Sequence, residues 1–175
     1  MLATKYEAPS NIALVKYWGK YGKQLPRNAS VSFTLNNCKS IFEVCLSDKA
    51  SRDIEVQIEF EGKDNSKFAE KISKFFKTIV SDYPIVEQYR FNIVSANTFP
   101  HSSGIASSAS SMAALAMCLE ELQYGTPDMQ RASNTARIGS GSASRSVIPR
   151  IGWWGAHAAQ PLSSNEYAIP VCEDV

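Results

Sequence analysis

The sequence predicts an α+β domain in which a mixed or antiparallel sheet carries its helices on one face. Three observations lead there. Short stretches that alternate apolar and polar residues dominate the first third of the chain. Phe and Ile then recur at helical spacing, and after one more apolar run the chain turns to Ala- and Ser-rich helical segments. The composition, 44% hydrophobic and 10% aromatic over 175 residues, is that of a globular protein able to bury one sizeable core.

Taken in order, residues Tyr6 to Trp18 are apolar and extended, interrupted by the breakers Pro9-Ser10-Asn11. Half-buried strands are expected at Ser30–Leu35, Ile41–Leu46 and Ile54–Phe60, with Gly62–Asn65 as a turn. Phe68, Ile72, Phe75, Phe76, Ile79 and Val80 then mark a helix that Asn65 or Ser66 caps. Phe91–Val94 reads as another strand and Asn97–Gly104 as a loop, leading into a helix from about Ile105 to Leu122 that Gly125 stops. Thr126-Pro127 reads as a cap followed by proline at the first helical position of a second helix, which runs to about Ile138. Gly139–Ser146 is irregular, and the aromatic pair Trp153-Trp154 follows it. No repeat and no linker divides the chain, so residues 1–175 are expected to form a single domain.

Charge and cysteine usage narrow the function classes. Lys+Arg at 18 against Asp+Glu at 17 leaves +1, with no basic surplus for nucleic acid. An anion must therefore be gripped by local groups. Cys38, Cys45, Cys118 and Cys172 form no CxxC, and His101 and His157 lie far apart, which argues against zinc and against a disulfide scaffold. Scattered thiols fit a reducing compartment, and no run has the length of a membrane span. A cytoplasmic protein that binds a small molecule, with neither nucleic acid nor membrane as partner, is expected.

Three segments carry chemistry. Pro100–Ser111, PHSSGIASSASS, follows a strand and opens a helix, where exposed N–H groups and the helix dipole hold phosphate. Gly104 lets the backbone approach an anion, while Ala106, Ser107 and Ser108 keep the mouth free of bulk. The Ser107 and Ser108 hydroxyls suit phosphate oxygens or Mg2+. A small-residue helix start that merely packs tightly is an equal alternative for this segment alone. Ala8–Leu35 gathers Lys16, Tyr17, Lys20, Lys23, Arg27, Asn28 and Ser30, a set suited to a diphosphate. Its bland alternative is a solvated basic edge. Ala136–Ser146, ARIGSGSASRS, places glycines around Arg145, whose fork fits a carboxylate; the bland alternative is a helix C-cap with a surface charge.

The ordered series KYWGK, NASVSFTL, FPHSSGIASSAS and GSGSASRS resembles the diphosphomevalonate decarboxylase family of the GHMP kinase superfamily, over most of residues 6–147. The resemblance implies a ribosomal-protein-S5-like fold, ATP and Mg2+ as cofactors, and diphosphomevalonate as substrate. It implies phosphoryl transfer to the tertiary hydroxyl, then loss of phosphate and CO2 to give isopentenyl diphosphate. By the same resemblance Ser108 contacts the ATP phosphates and Mg2+ with Ser107 beside it, Arg145 orients the substrate carboxylate, and Asn11 steadies Arg145. Tyr17, Lys20, Ser140 and Ser142 match positions that hold the substrate's phosphates and carboxylate, with Lys16 and Ser30 as further candidates.

Two departures stand out. Val147–Gly152 carries Pro149-Arg150 where the family has a glycine pair, and the match is expected to end near Ser146. The family's aspartate that acts on the substrate hydroxyl lies in the second half of a longer enzyme, and no residue here matches it. The isolated chain is therefore expected to turn over little, and to associate with its own C-terminal half or as a homodimer. Three readings remain: part of a working decarboxylase, a related mevalonate-derivative kinase, or a non-catalytic nucleotide- or anion-binding fragment. Release of CO2 separates the first two.

Overall fold

The computed structural model describes residues 2–100 and 107–171. Its strands are β1 (Ala3–Val15), β2 (Lys20–Tyr21), β3 (Leu25–Pro26), β4 (Ser30–Ser47), β5 (Val56–Phe60), β6 (Lys63–Asp64), β7 (Arg90–Asn97), β8 (Ile151–Trp154) and β9 (Ala168–Pro170). The helices are α1 (Ser66–Ile79), α2 (Ile85–Gln88), α3 (Ser107–Tyr124), α4 (Met129–Gly139) and α5 (Ala143–Ser146). Seven strands form one sheet in the order β6-β5-β7-β4-β8-β9, with β1 also on β4; β2 and β3 form a separate hairpin. All pairs in the large sheet are antiparallel except β5 with β7, so the sheet is mixed, as expected.

Alternation decides which face is covered. Phe42, Val44 and Leu46 of β4 point the same way as Phe91 and Ile93 of β7 and Ile58 of β5, and all are buried. Against them lie Ile72, Phe75, Phe76 and Ile79 of α1 and the small residues Ala109, Ala113 and Ala116 of α3. Alanine and serine let α3 run as a central helix touching β1, β4, α4 and α5, which a helix of bulky residues could not approach so closely. Asn65 caps α1 by accepting from the Phe68 N–H at 3.1 Å, as the spacing predicts.

Three expectations change. The two strands expected between Ser30 and Leu46 are one 18-residue strand, β4, whose first part pairs with β8 and whose second part pairs with β7. β1 likewise runs through Pro9 instead of breaking: the register jumps from Pro9↔Lys39 to Ser10↔Leu35. Proline has no N–H to give the ladder, so a bulge located there costs little pairing. Thr126-Pro127 is not the cap of α4. Asp128 is, accepting from the Arg131 N–H at 2.8 Å, because Glu120 holds the Asp128 N–H at 3.0 Å and keeps that residue extended.

The Pro149-Arg150 departure is absorbed locally. Arg150 takes φ 60°, the left-handed conformation that glycine usually supplies, and its carbonyl accepts from the Thr34 N–H at 2.7 Å. The chain thus still turns into β8.

Candidate active site

Arg145 sits on the single turn α5, which α4 leads into through Ser140-Gly141-Ser142. It is only 2% exposed. Its Nε donates to Ser32 Oγ at 2.9 Å, Nη1 to Ser30 Oγ at 2.5 Å, and Nη2 to Asn11 Oδ1 at 3.5 Å. Asn11 in turn donates from Nδ2 to the Ser142 carbonyl at 3.1 Å and to Ser146 Oγ at 2.7 Å. One asparagine on β1 thereby fixes both ends of the turn that carries the arginine. Ser30 is fully buried and also donates to the Trp154 carbonyl at 3.2 Å, so its hydroxyl faces Arg145 from behind.

Aromatic rings wall the guanidinium. Its central carbon lies 5.8 Å from the Tyr17 ring and 5.8 Å from the Trp154 ring, and these two rings meet edge-on at 4.9 Å. Burial pulls the arginine's pKa down to about 10, with Tyr17 opposing the shift, which still leaves the group charged near neutral pH. None of the ion pairs among the described residues includes Arg145. A buried cation without a protein carboxylate is costly to hold, and it opens onto a cleft of about 460 Å3 lined by Asn11, Ile12, Ala13, Lys16, Tyr17, Ser142 and Arg145.

Of the expected site residues, Asn11, Lys16, Tyr17, Ser142 and Arg145 therefore share one cleft. Lys20 stands beside it: its Nζ lies 5.5 Å from the Tyr17 ring, and a Cβ on Gly141 would come within 3.3 Å of that Nζ. Gly141 is required here for close approach, since the same Cβ would also meet the Trp154 ring at 3.1 Å. Ser140 is half-buried and closes α4, its N–H donating to the Ala136 carbonyl at 2.9 Å.

Ser107 and Ser108 lie elsewhere, at the start of α3, where with Phe60, Asn65, Phe68, Lys71, Asn97, Ser111 and Met112 they line a second cavity of about 190 Å3. Ser108 is exposed. Behind it, Ser110 Oγ bonds Ser40 Oγ at 2.7 Å, and Ser40 donates to Asn97 Oδ1 at 2.7 Å, which ties the helix start to β4 and β7. Gly104 and Ala106 lie outside the described residues. Among the described residues no group of three or more His, Cys, Asp and Glu is gathered to hold a metal. An exposed serine hydroxyl fits Mg2+, which takes few protein oxygens and is completed by other oxygen ligands and water.

The acids near these elements are engaged in structure. Glu120, fully buried, pairs with Arg131 at 2.9 Å and accepts from the Tyr83 hydroxyl; burial first, then that bond, push the Tyr83 pKa up. Ser32 and Trp154 were not among the expected site residues. The alternation Ser30-Val31-Ser32, two hydroxyls two apart on the covered face of a strand, is the signal that points to Ser32.

Known proteins share this architecture. The sequence model of the diphosphomevalonate decarboxylase-like N-terminal domain matches residues 8–165, beyond the expected limit near Ser146. Diphosphomevalonate decarboxylase of Debaryomyces hansenii is 36% identical over 155 residues, covering 81% of this chain and 39% of its own length. Mevalonate diphosphate decarboxylase from Staphylococcus aureus superposes with a TM-score of 0.82 at 34% identity, covering 98% of this chain and 50% of that one. A structure described as MDDEF in complex with MVAPP, AMPPCP and magnesium superposes with a TM-score of 0.79 at 31% identity, covering 98% of this chain and 51% of that one. The chain thus spans about half, or less, of the length of the relatives it matches. The sequence model covers nearly the whole chain, and the chain belongs to the diphosphomevalonate decarboxylase-like N-terminal domain family.

Proposed function

We propose that the protein carrying this chain is an ATP- and Mg2+-dependent decarboxylase of diphosphomevalonate, yielding isopentenyl diphosphate, ADP, phosphate and CO2. The observation that supports it most is Arg145: a buried, charged guanidinium that no carboxylate of the described residues neutralises, open to a cleft. In this reading the substrate carboxylate is the missing counter-ion. Arg145 fixes its plane through the bidentate fork, so that the breaking carbon–carbon bond lines up with the departing phosphate. Asn11, Ser30 and Ser32 hold Arg145 from behind, which makes Ser30 a positioning residue in this proposal. Lys16, Tyr17, Lys20, Ser140 and Ser142 take the diphosphate and the rest of the carboxylate.

The nucleotide phosphates lie at the start of α3, against Ser107 and Ser108, with Gly104 and Ala106 as further candidates. The Ser108 hydroxyl would hold Mg2+, which would supply charge neutralisation during phosphoryl transfer. The base for the tertiary hydroxyl is assigned to the part of the family protein that this chain does not span. Asp128 and Glu120 are already committed to a helix cap and an ion pair.

Two substitutions test the division of the sites in the full polypeptide. Lys20→Ala is expected to raise KM for diphosphomevalonate roughly tenfold and to leave KM for ATP nearly unchanged, because an exposed point charge binds substrate and transition state alike. Loss of ATP affinity with substrate affinity intact would show the two sites reversed. Ser108→Ala removes one charge-assisted hydrogen bond and is expected to cost about 1.5–3 kcal/mol in kcat/KM for ATP with little change in melting temperature. Unchanged kinetics with a lowered melting temperature would make Ser108 a packing residue.

A further inference from the structure

The hairpin that carries Lys20 and Lys23 pairs only with itself, β2 on β3, so the large sheet does not set its angle to the cleft. Its turn is tight: Gly22 has φ 49° and Gln24 φ 63°. A side chain from α4 holds it. Arg137 is 4% exposed, and its fork reaches three separate places. Nη1 donates to the Lys23 carbonyl, Nε to the Glu166 carbonyl at 2.7 Å, and Nη2 to Asn134 Oδ1 at 2.5 Å.

The loop with Glu166 touches the hairpin from the other side. Asn165 Nδ2 donates to the Tyr21 hydroxyl at 3.1 Å, and the Asn165 carbonyl accepts from Trp154 Nε1 at 2.9 Å, so the same loop supports the aromatic wall of Arg145. No ion pair among the described residues includes Arg137. Burying a guanidinium without an ion pair is expensive, and an apolar residue would fill the space at lower cost. Only a planar fork serves acceptors in three directions; a lysine ammonium would leave part of this set unmet. Arg137 also lies two residues before Gly139, on the helix that leads into Ser140, Ser142 and Arg145.

We infer that Arg137 is a positioning residue for recognition of the substrate's phosphate groups: it latches the Lys20–Lys23 hairpin beside the Arg145 cleft without touching substrate. The inference rests on the proposed function, since it takes the cleft to bind a phosphorylated carboxylate. Charge on a hairpin free to swing is spread over many positions, whereas charge on a latched hairpin is held where the phosphates arrive.

The test uses Arg137→Lys and Asn134→Ala in the full polypeptide, with amide hydrogen exchange read by mass spectrometry beside steady-state kinetics. Exchange in residues 20–26 is expected to accelerate roughly tenfold in Arg137→Lys, and less in Asn134→Ala, while α3 and β4 keep their protection. KM for diphosphomevalonate should rise roughly tenfold, with kcat and KM for ATP near wild type. A folded Arg137→Lys protein with wild-type hairpin exchange and wild-type substrate KM overturns the inference. So does a parallel loss in melting temperature, kcat and both KM values, which is the mark of a purely structural arginine. Should Arg137→Lys fail to fold, Asn134→Ala keeps the guanidinium and decides the matter by the same readouts. If the wild-type protein does not turn over diphosphomevalonate, the proposed function fails while hairpin exchange still judges the latch.

Discussion

Arg145→Lys is expected to lower turnover on the order of 10²-fold while a nucleotide analogue still binds nearly as well as to wild type. Lysine keeps the charge but not the geometry. The guanidinium is held by Ser32, Ser30 and Asn11 through three different nitrogens, which leaves its plane fixed relative to the cleft. An ammonium on a shorter reach satisfies fewer of these acceptors and presents a point charge where a planar fork is needed. The effect should fall on phosphate release and CO2 release together, because both depend on how the substrate lies. Each is measured separately, beside binding of a nonhydrolysable ATP analogue. CO2 release at the wild-type rate in the variant would remove Arg145 from the role assigned to it.

Trp154→Ala is expected to cost about 3–5 kcal/mol of stability, the range for emptying a buried aromatic site. Trp154 is fully buried on β8, its ring meets Tyr17, and its Nε1 donates to the Asn165 carbonyl at 2.9 Å. Truncation leaves a cavity, strips the Asn165 carbonyl of its donor, and removes one of the two rings beside the Arg145 guanidinium. Urea unfolding monitored by far-ultraviolet circular dichroism measures the loss. Trp154→Phe, which keeps most of the apolar volume and loses the N–H, should cost clearly less. A Trp154→Ala protein as stable as wild type would show that β8 contributes nothing to the wall of the cleft.

What the sequence made legible divides along a physical line. Helix α1 and its Asn65 cap depend on residues within a few positions of one another, and they were read correctly. So was the layer arrangement, because alternation and helical spacing each mark one buried face. The continuity of β4 was not legible, since the polar run Asn36-Asn37 looks like a loop until β1 pairs across it with a register jump at Pro9. The cap of α4 moved from Thr126 to Asp128 for a similar reason: the decisive contact comes from Glu120, a helix away.

The site followed the same rule. Asn11 and Arg145 meet across a separation of 134 residues, and no local pattern brings them together; resemblance to a family did. Resemblance by motif assigned no role to Ser32, Trp154 or Arg137, which contact Arg145, the loop at Asn165 and the hairpin respectively. It also stopped short at Val147–Gly152, where Arg150 adopts the conformation a glycine would have supplied and the matched region continues to residue 165.

The ratio of CO2 to ADP formed when the full polypeptide is given Mg2+, ATP and diphosphomevalonate tests the account most directly. If Arg145 orients a carboxylate that leaves as the phosphorylated hydroxyl departs, each ADP is matched by one CO2 and one free phosphate, and isopentenyl diphosphate accumulates. ADP formed together with a stable phosphorylated acid, and without CO2, would contradict it.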